Sequence, residues 1–237
     1  MTSATITGVL LIALPIAFNV AFTGLARRFE YPGILRQPVG TILEKFSAGG
    51  SGLVTLWWVF ALIALAFVPV AAAAGAVVRG ASTSELGAWL ADISIALGVA
   101  AGLVQTLGLI RWPYLVPELA RRYHGAADPA ERRAAEVVFA AAHRLLGVGI
   151  GEGLGYLLTG LWTLTFGLAV VGSDAVPALL GFIAIPVGLA VAVGTVEFAG
   201  GHEPEGWEAI GTIVPIAYIA WSIWLLAVGV SLVLGLH

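Results

Sequence analysis

Residues 53–78 read LVTLWWVFALIALAFVPVAAAAGAVV, without a single charged side chain. About 20 predominantly apolar residues are enough for a helix to cross the roughly 30 Å of a bilayer's hydrocarbon core. A run this long and this apolar decides the fold class, because lipid offers no partner for free backbone N–H and C=O groups. Only helices and closed barrels satisfy them internally. The run lacks the alternation of a barrel strand, so it reads as a transmembrane helix.

Five more runs share this character. The candidate spans are 6–25, 53–78, 86–110, 137–171, 176–196 and 209–236. The expected fold is all-α: a polytopic integral membrane protein, a bundle of about six transmembrane helices forming one domain over 1–237. Composition agrees. Hydrophobic residues make up 59% of the chain and charged residues 11%, against roughly 25% charged in soluble domains. The mean hydropathy is +0.99. Cysteine is absent, which excludes disulfides, thiolate metal sites and cysteine nucleophiles. A formal net charge of -3 gives no basic footprint for nucleic acid. The first span is not expected to be a cleaved signal peptide, because Arg27 and Arg28 follow the apolar run and no positive charge precedes it.

Local signals mark helix starts. Ser82 to Glu85 reads as a capping box. In Asp128-Pro129-Ala130-Glu131 the aspartate caps, proline takes the first helical position and glutamate follows at the third. An unbroken helix from Pro129 to Val171 is about 64 Å long. It must project from the bilayer or break, and residues 147–155 are rich enough in glycine to break it.

Charge is segregated. Arg27, Arg28, Arg36, Lys45, Arg111, Arg121, Arg122, Arg132 and Arg133 fall on one side of six alternating spans, and Arg79 alone on the other. The positive-inside rule then makes loops 26–52 and 111–136 cytoplasmic, with both termini outside, in a cell inner (plasma) membrane. Trp57, Trp58, Trp112 and Trp207 fall at inner ends and Trp89 near an outer end, as interfacial anchors do. Arg111-Trp112-Pro113-Tyr114 is read as an interfacial helix end. Residues 34–46 mix apolar and charged side chains and are expected to lie in the inner interface as an amphipathic element.

Polar groups inside spans are costly and need a reason. Glu152, Tyr156, Thr159 and Thr163 follow one another at spacings of 4, 3 and 4, one face of an α-helix. Gly147, Gly151 and Gly155 form small-xxx-small motifs beside it, suited to close helix approach. Glu152 is the candidate proton or cation carboxylate, with the alternative that it only fixes packing. Gln105 and His143 are candidate partners. In an α-helix His143 and Glu152 fall on opposite faces. Arg144 is expected to pair with a carboxylate or to snorkel to headgroups. Tyr218, Trp221 and Trp224 read as a packing stripe, and Asp92 as solvated near the outer end. The acidic segment with Glu197, Glu203, Glu205 and Glu208 is expected to pair with the arginine-rich loops. A cation site with His202 is the alternative there.

The segments Leu109-Ile-Arg-Trp-Pro-Tyr-Leu-Val-Pro117, Phe139 to His143 and Gly149-Ile-Gly-Glu-Gly-Leu-Gly-Tyr156 resemble a family of bacterial membrane proteins catalogued only as a domain of unknown function. The resemblance implies a polytopic helical fold and supplies no activity.

No phosphate loop, dinucleotide fingerprint, HExxH or GxSxG motif is present, and no cofactor is indicated. Three functions remain open: a small-molecule or ion binder or carrier using the Glu152 stripe, an accessory subunit of other membrane proteins or of a homo-oligomer, and, less favoured, a lipid-modifying enzyme with Glu152 or His143 as base. Candidate ligand contacts are Glu152, Tyr156, His143, Arg144, Gln105 and Thr159. The lipid bilayer is the expected partner.

Overall fold

The computed structural model describes residues 2–202 and 206–236. It is 88% helical, and an isolated bridge between Ser82 and Ser173 is the extent of β pairing among the described residues. Six helices are long and apolar enough to cross a membrane. The protein is an all-α, multi-pass membrane protein.

Helix α1 (Ser3–Phe29) starts where the Thr2 hydroxyl accepts from the Thr5 N–H at 3.2 Å. It ends at Glu30, in the left-handed region, with Arg27 and Arg28 in its last turn, where cations meet the negative end of the helix dipole. Helix α2 (Val39–Gly80) is two arms joined at Gly50, whose φ of 56° and ψ of -157° suit glycine alone. Helix α3 (Glu85–Tyr114) is capped by Ser84, which accepts from the Gly87 N–H at 3.1 Å. The expected cap, Ser82, instead sits in the bridge to Ser173 and donates its hydroxyl to the Val78 carbonyl. A serine two residues closer to the helix has the better reach to the free N–H groups.

Helices α4 (Val116–Gly125) and α5 (Pro129–Ala142) follow. The α5 start is as the sequence predicts. Asp128 accepts from Ala130 and Glu131, and the Glu131 carboxylate takes the Ala127 N–H. The chain then neither stops nor breaks at the glycines. It widens into a π-helix over His143–Leu154 and returns to α geometry in α6 (Gly155–Val171). Helices α7 (Ala178–Val193) and α8 (Glu208–Leu234) complete the set.

The long elements form a closed ring in chain order. Helix α1 packs on α2, α2 on α3, α3 on α6, α6 on α7, α7 on α8, and α8 on α1. Phe67, Trp162, Trp221 and Trp224 fill its centre. Two sets of loops define its ends. At one end Arg36 reaches Glu197 at 3.8 Å. At the other, Thr83 and Asp174 donate backbone N–H groups to Gly172 and Ala81, and Arg79 pairs with Asp92 at 2.7 Å.

A second core caps the first of these ends. The initial arm of α2, the 3-10 turn Gly33–Arg36, α4 and α5 bury Ile34, Ile42, Leu43 and Phe46 against Phe29, Trp57, Trp112 and Phe139. This revises the reading of residues 34–46. Their apolar side chains face protein, not the lipid interface. Trp57 and Trp112 are also not interfacial anchors, since both are fully buried and stack at 4.4 Å. Trp58, Trp89 and Trp207 do stay exposed.

Gly50 allows the arm to fold back. A Cβ there meets nothing within 4 Å, so the obstacle to a side chain is conformational alone. Gly50→Ala is expected to cost about 1–3 kcal/mol, the strain of a non-glycine residue in that region. Gly80→Ala, equally free of neighbours but at the last residue of the helix, is expected to leave the unfolding midpoint unchanged or raised. Thermal unfolding of both variants in one detergent checks this, and equal midpoints would contradict the kink.

Candidate functional site

The π-segment builds the site. Each π turn takes up between four and five residues, because its hydrogen bonds run from i to i+5. Nine residues therefore make about two full turns, and His143 and Glu152 come to the same side of the helix. The expectation of opposite faces holds only for α geometry. The glycines serve close approach to α3. A Cβ on Gly108 lies 2.5 Å from the Gly151 Cα, and one on Gly147 lies 2.5 Å from the Arg111 Nη2.

Arg111 occupies the space those glycines leave. It is 6% exposed, so it is not the interfacial anchor expected of it. Its guanidinium donates to the Gly108 carbonyl, lies 5.2 Å from the Trp112 ring centre, and meets His143 Nδ1 at 3.1 Å. Arginine only donates, so His143 Nδ1 is the acceptor and carries no proton. The His143 ring stacks on Phe139 at 5.8 Å. Arg111 Nε is buried without a partner, and no carboxylate among the described residues forms an ion pair with it. Tyr31, in the α1–α2 connection, lies within electrostatic reach of both Arg111 and Glu152. Burial pushes its phenol well up, the Glu152 charge adds to that, and Arg111 opposes it.

Glu152 differs from its neighbours. Its carboxylate makes no hydrogen bond or ion pair among the described residues, and it lines a cavity of about 240 Å³. The other walls are Val148, Gly149, Gly153 and Leu154 of the π-segment, with Gly194, Thr195, Phe198 and Ala199 after α7. Arg144 holds this second wall, donating to the Phe198 carbonyl at 3.2 Å.

The rest of the polar stripe is committed to helix packing. Gln105 donates to the Thr159 hydroxyl at 2.7 Å. The Thr163 hydroxyl donates to the Thr159 carbonyl and accepts from Trp221 Nε1 at 2.8 Å. The Tyr156 ring meets that of Tyr218 edge-on at 5.6 Å. The structure thus brings Glu152 to a cavity, holds His143 on Arg111, and turns Gln105, Thr159 and Thr163 into a seam between α3, α6 and α8.

The family model described as "Domain of unknown function (DUF4386)" matches residues 6–229. The chain belongs to DUF4386. No curated protein and no solved structure matches this DUF4386 chain.

In the acidic segment, Glu197 is turned inward, 6% exposed, beside Arg36. Burial raises its carboxyl above the usual range and Arg36 opposes the rise. His202 stacks on Trp207 at 4.9 Å. Glu203 and Glu205 lie outside the described residues. No group of three metal-ligating side chains forms among the described residues. Arg111, Tyr31, Thr195 and Phe198 were not among the sequence candidates. The clue to Arg111 was Gly147, where a Cβ would meet the guanidinium.

Proposed function

We propose that this membrane protein binds, and carries, a small cation or a small molecule with a cationic group, and that Glu152 is its counter-charge. One observation carries the reading: a carboxylate within a membrane-spanning helix, facing a cavity and without a hydrogen bond or ion pair among the described residues. An ionised carboxylate in an apolar setting is costly unless it is paired. A positively charged ligand removes that cost when it enters. Phe198 lends the cavity an aromatic wall, which favours cations near a ring face. In this reading the basic end of the ring, on which the cavity lies, faces the cytoplasm, a reading the positive-inside rule supports.

The natural absence of cysteine makes the test direct. Thr195→Cys, in the cavity wall, is expected to react with a charged, membrane-impermeant thiol reagent at least about tenfold faster than Thr159→Cys, which is fully buried, because reaction requires access as well as thiolate. It is expected to react in inside-out vesicles and not in right-side-out ones. Millimolar sodium or methylammonium is expected to slow the reaction, and Glu152→Gln to abolish that protection. Equal behaviour of wild-type and Glu152→Gln backgrounds would move the reading to an accessory subunit without a ligand of its own.

A further inference from the structure

A second cavity, of about 570 Å³, is a groove on the lipid-facing side between α1 and α8. Helix α1 lines it continuously with Pro15, Ile16, Asn19, Val20, Thr23, Gly24 and Arg27, while α8 contributes only Ser222 and Leu226. The two helices touch closely near the opposite end, where Gly8 and Gly229 meet, each with an ideal Cβ under 3 Å from the other's carbonyl oxygen. Towards the basic end they part, and the groove is what remains between them.

We propose that this groove is a binding site for one anionic phospholipid, with an acyl chain along α1 and the phosphate on Arg27. Length is the first argument. From Arg27 to Pro15 the helix rises about 18 Å, close to the roughly 15 Å of one leaflet's hydrocarbon. A partner's transmembrane helix would need the full thickness, and the groove ends halfway. Charge is the second argument. Arg27 is exposed and joins no ion pair among the described residues. The nearest carboxylate in sequence, Glu30, is held by Lys45. An uncommitted guanidinium at the mouth of an apolar slot complements a phosphate. The floor is the third argument. Asn19 donates to the Pro15 carbonyl at 2.8 Å and to Ser222 Oγ at 3.2 Å, and Thr23 donates to the Asn19 carbonyl. The Asn19 amide and the Thr23 hydroxyl therefore present an acyl chain with no unmet donor.

Native mass spectrometry of the purified full chain tests this, with phosphatidylglycerol and phosphatidylcholine of identical acyl chains as probes. One lipid per chain is expected, with phosphatidylglycerol preferred about fivefold, the effect of one basic residue at an anionic headgroup. Arg27→Gln is expected to remove the preference and keep the lipid. Arg28→Gln, outside the groove, is expected to keep both. Val20→Trp, at a position 68% exposed, is expected to fill the slot and lose the lipid. All three positions are exposed, and an unchanged unfolding midpoint in lipid-free detergent verifies that each variant folds. A preference surviving Arg27→Gln, a lipid surviving Val20→Trp, or a dimer that Val20→Trp dissolves would overturn the proposal.

Discussion

Trp112→Ala is expected to destabilise the protein by about 3–5 kcal/mol, the cost of truncating a large buried aromatic residue. Trp112 is fully buried. Its ring stacks on Trp57 at 4.4 Å with planes 9° apart, and it meets Phe29, Phe46 and Phe139 at 5.4, 5.9 and 6.0 Å. Such pairs add about 0.5–1.5 kcal/mol each beyond the area they bury. The Arg111 guanidinium also loses the ring it lies against, so the damage reaches the candidate site. Trp112→Phe keeps most of the packing and removes an indole N–H that is buried without a partner. It is expected to cost less than half as much. Trp58→Ala, one residue from Trp57 but 42% exposed, is expected to cost less still. Thermal unfolding of the three variants should give the order Trp58→Ala, Trp112→Phe, Trp112→Ala, from mildest to most severe. With about 2–4 °C per kcal/mol in a chain of this size, the last is a loss on the order of 10 °C. Equal losses for Trp58→Ala and Trp112→Ala would mean that the cap over the basic end is not packed as described.

Gly160→Val is the second large effect, and it acts on helix association in lipid. Between apolar helices in a bilayer there is little hydrophobic drive, and close van der Waals contact takes its place. Helices α6 and α7 make that contact through glycines. A Cβ on Gly160 lies 2.5 Å from both the Ala192 nitrogen and the Gly188 oxygen, and two turns on, a Cβ on Gly167 lies 2.3 Å from the Ala184 Cβ. The first two obstacles are backbone atoms, which cannot rotate aside. Removing a helical glycine recovers up to about 1 kcal/mol of propensity, but overpacking a tight site costs about 1–3 kcal/mol and sometimes more. Valine adds two methyl groups beyond the Cβ, so the loss prevails. Because α7 leads directly into the cavity wall at Gly194 and Thr195, the variant is also expected to change the labelling rate of Thr195→Cys. An unaltered midpoint together with an unaltered labelling rate would show that α6 and α7 do not approach this closely.

Much of the architecture is legible in the chain because it follows from local physics. Whether a segment such as 53–78 dissolves in lipid or water depends on its own side chains. The cap at Asp128 depends on residues within three positions of it. The candidate carboxylate, Glu152, stands out for the same reason: a charge in an apolar run is anomalous before any neighbour is known.

What the chain alone did not determine are features that depend on distant partners. The π-segment is one. Whether residues 143–154 wind as α or π depends on how closely α3, at Gly108, approaches Gly151, and that choice decides whether His143 shares a side with Glu152. Arg111 and Trp112 are another. Next to a proline at the end of a span they read as interfacial anchors, and only the folding back of α2 at Gly50, with α4 and α5, turns that interface into a core. Thr159 and Thr163 share the stripe with Glu152, yet their hydroxyls are engaged by Gln105 of α3 and Trp221 of α8, while Glu152 lines a cavity. Sequence spacing places side chains on a face. Only tertiary structure decides whether that face meets a neighbour or a cavity, because the desolvation that makes the difference comes from residues far away in the chain.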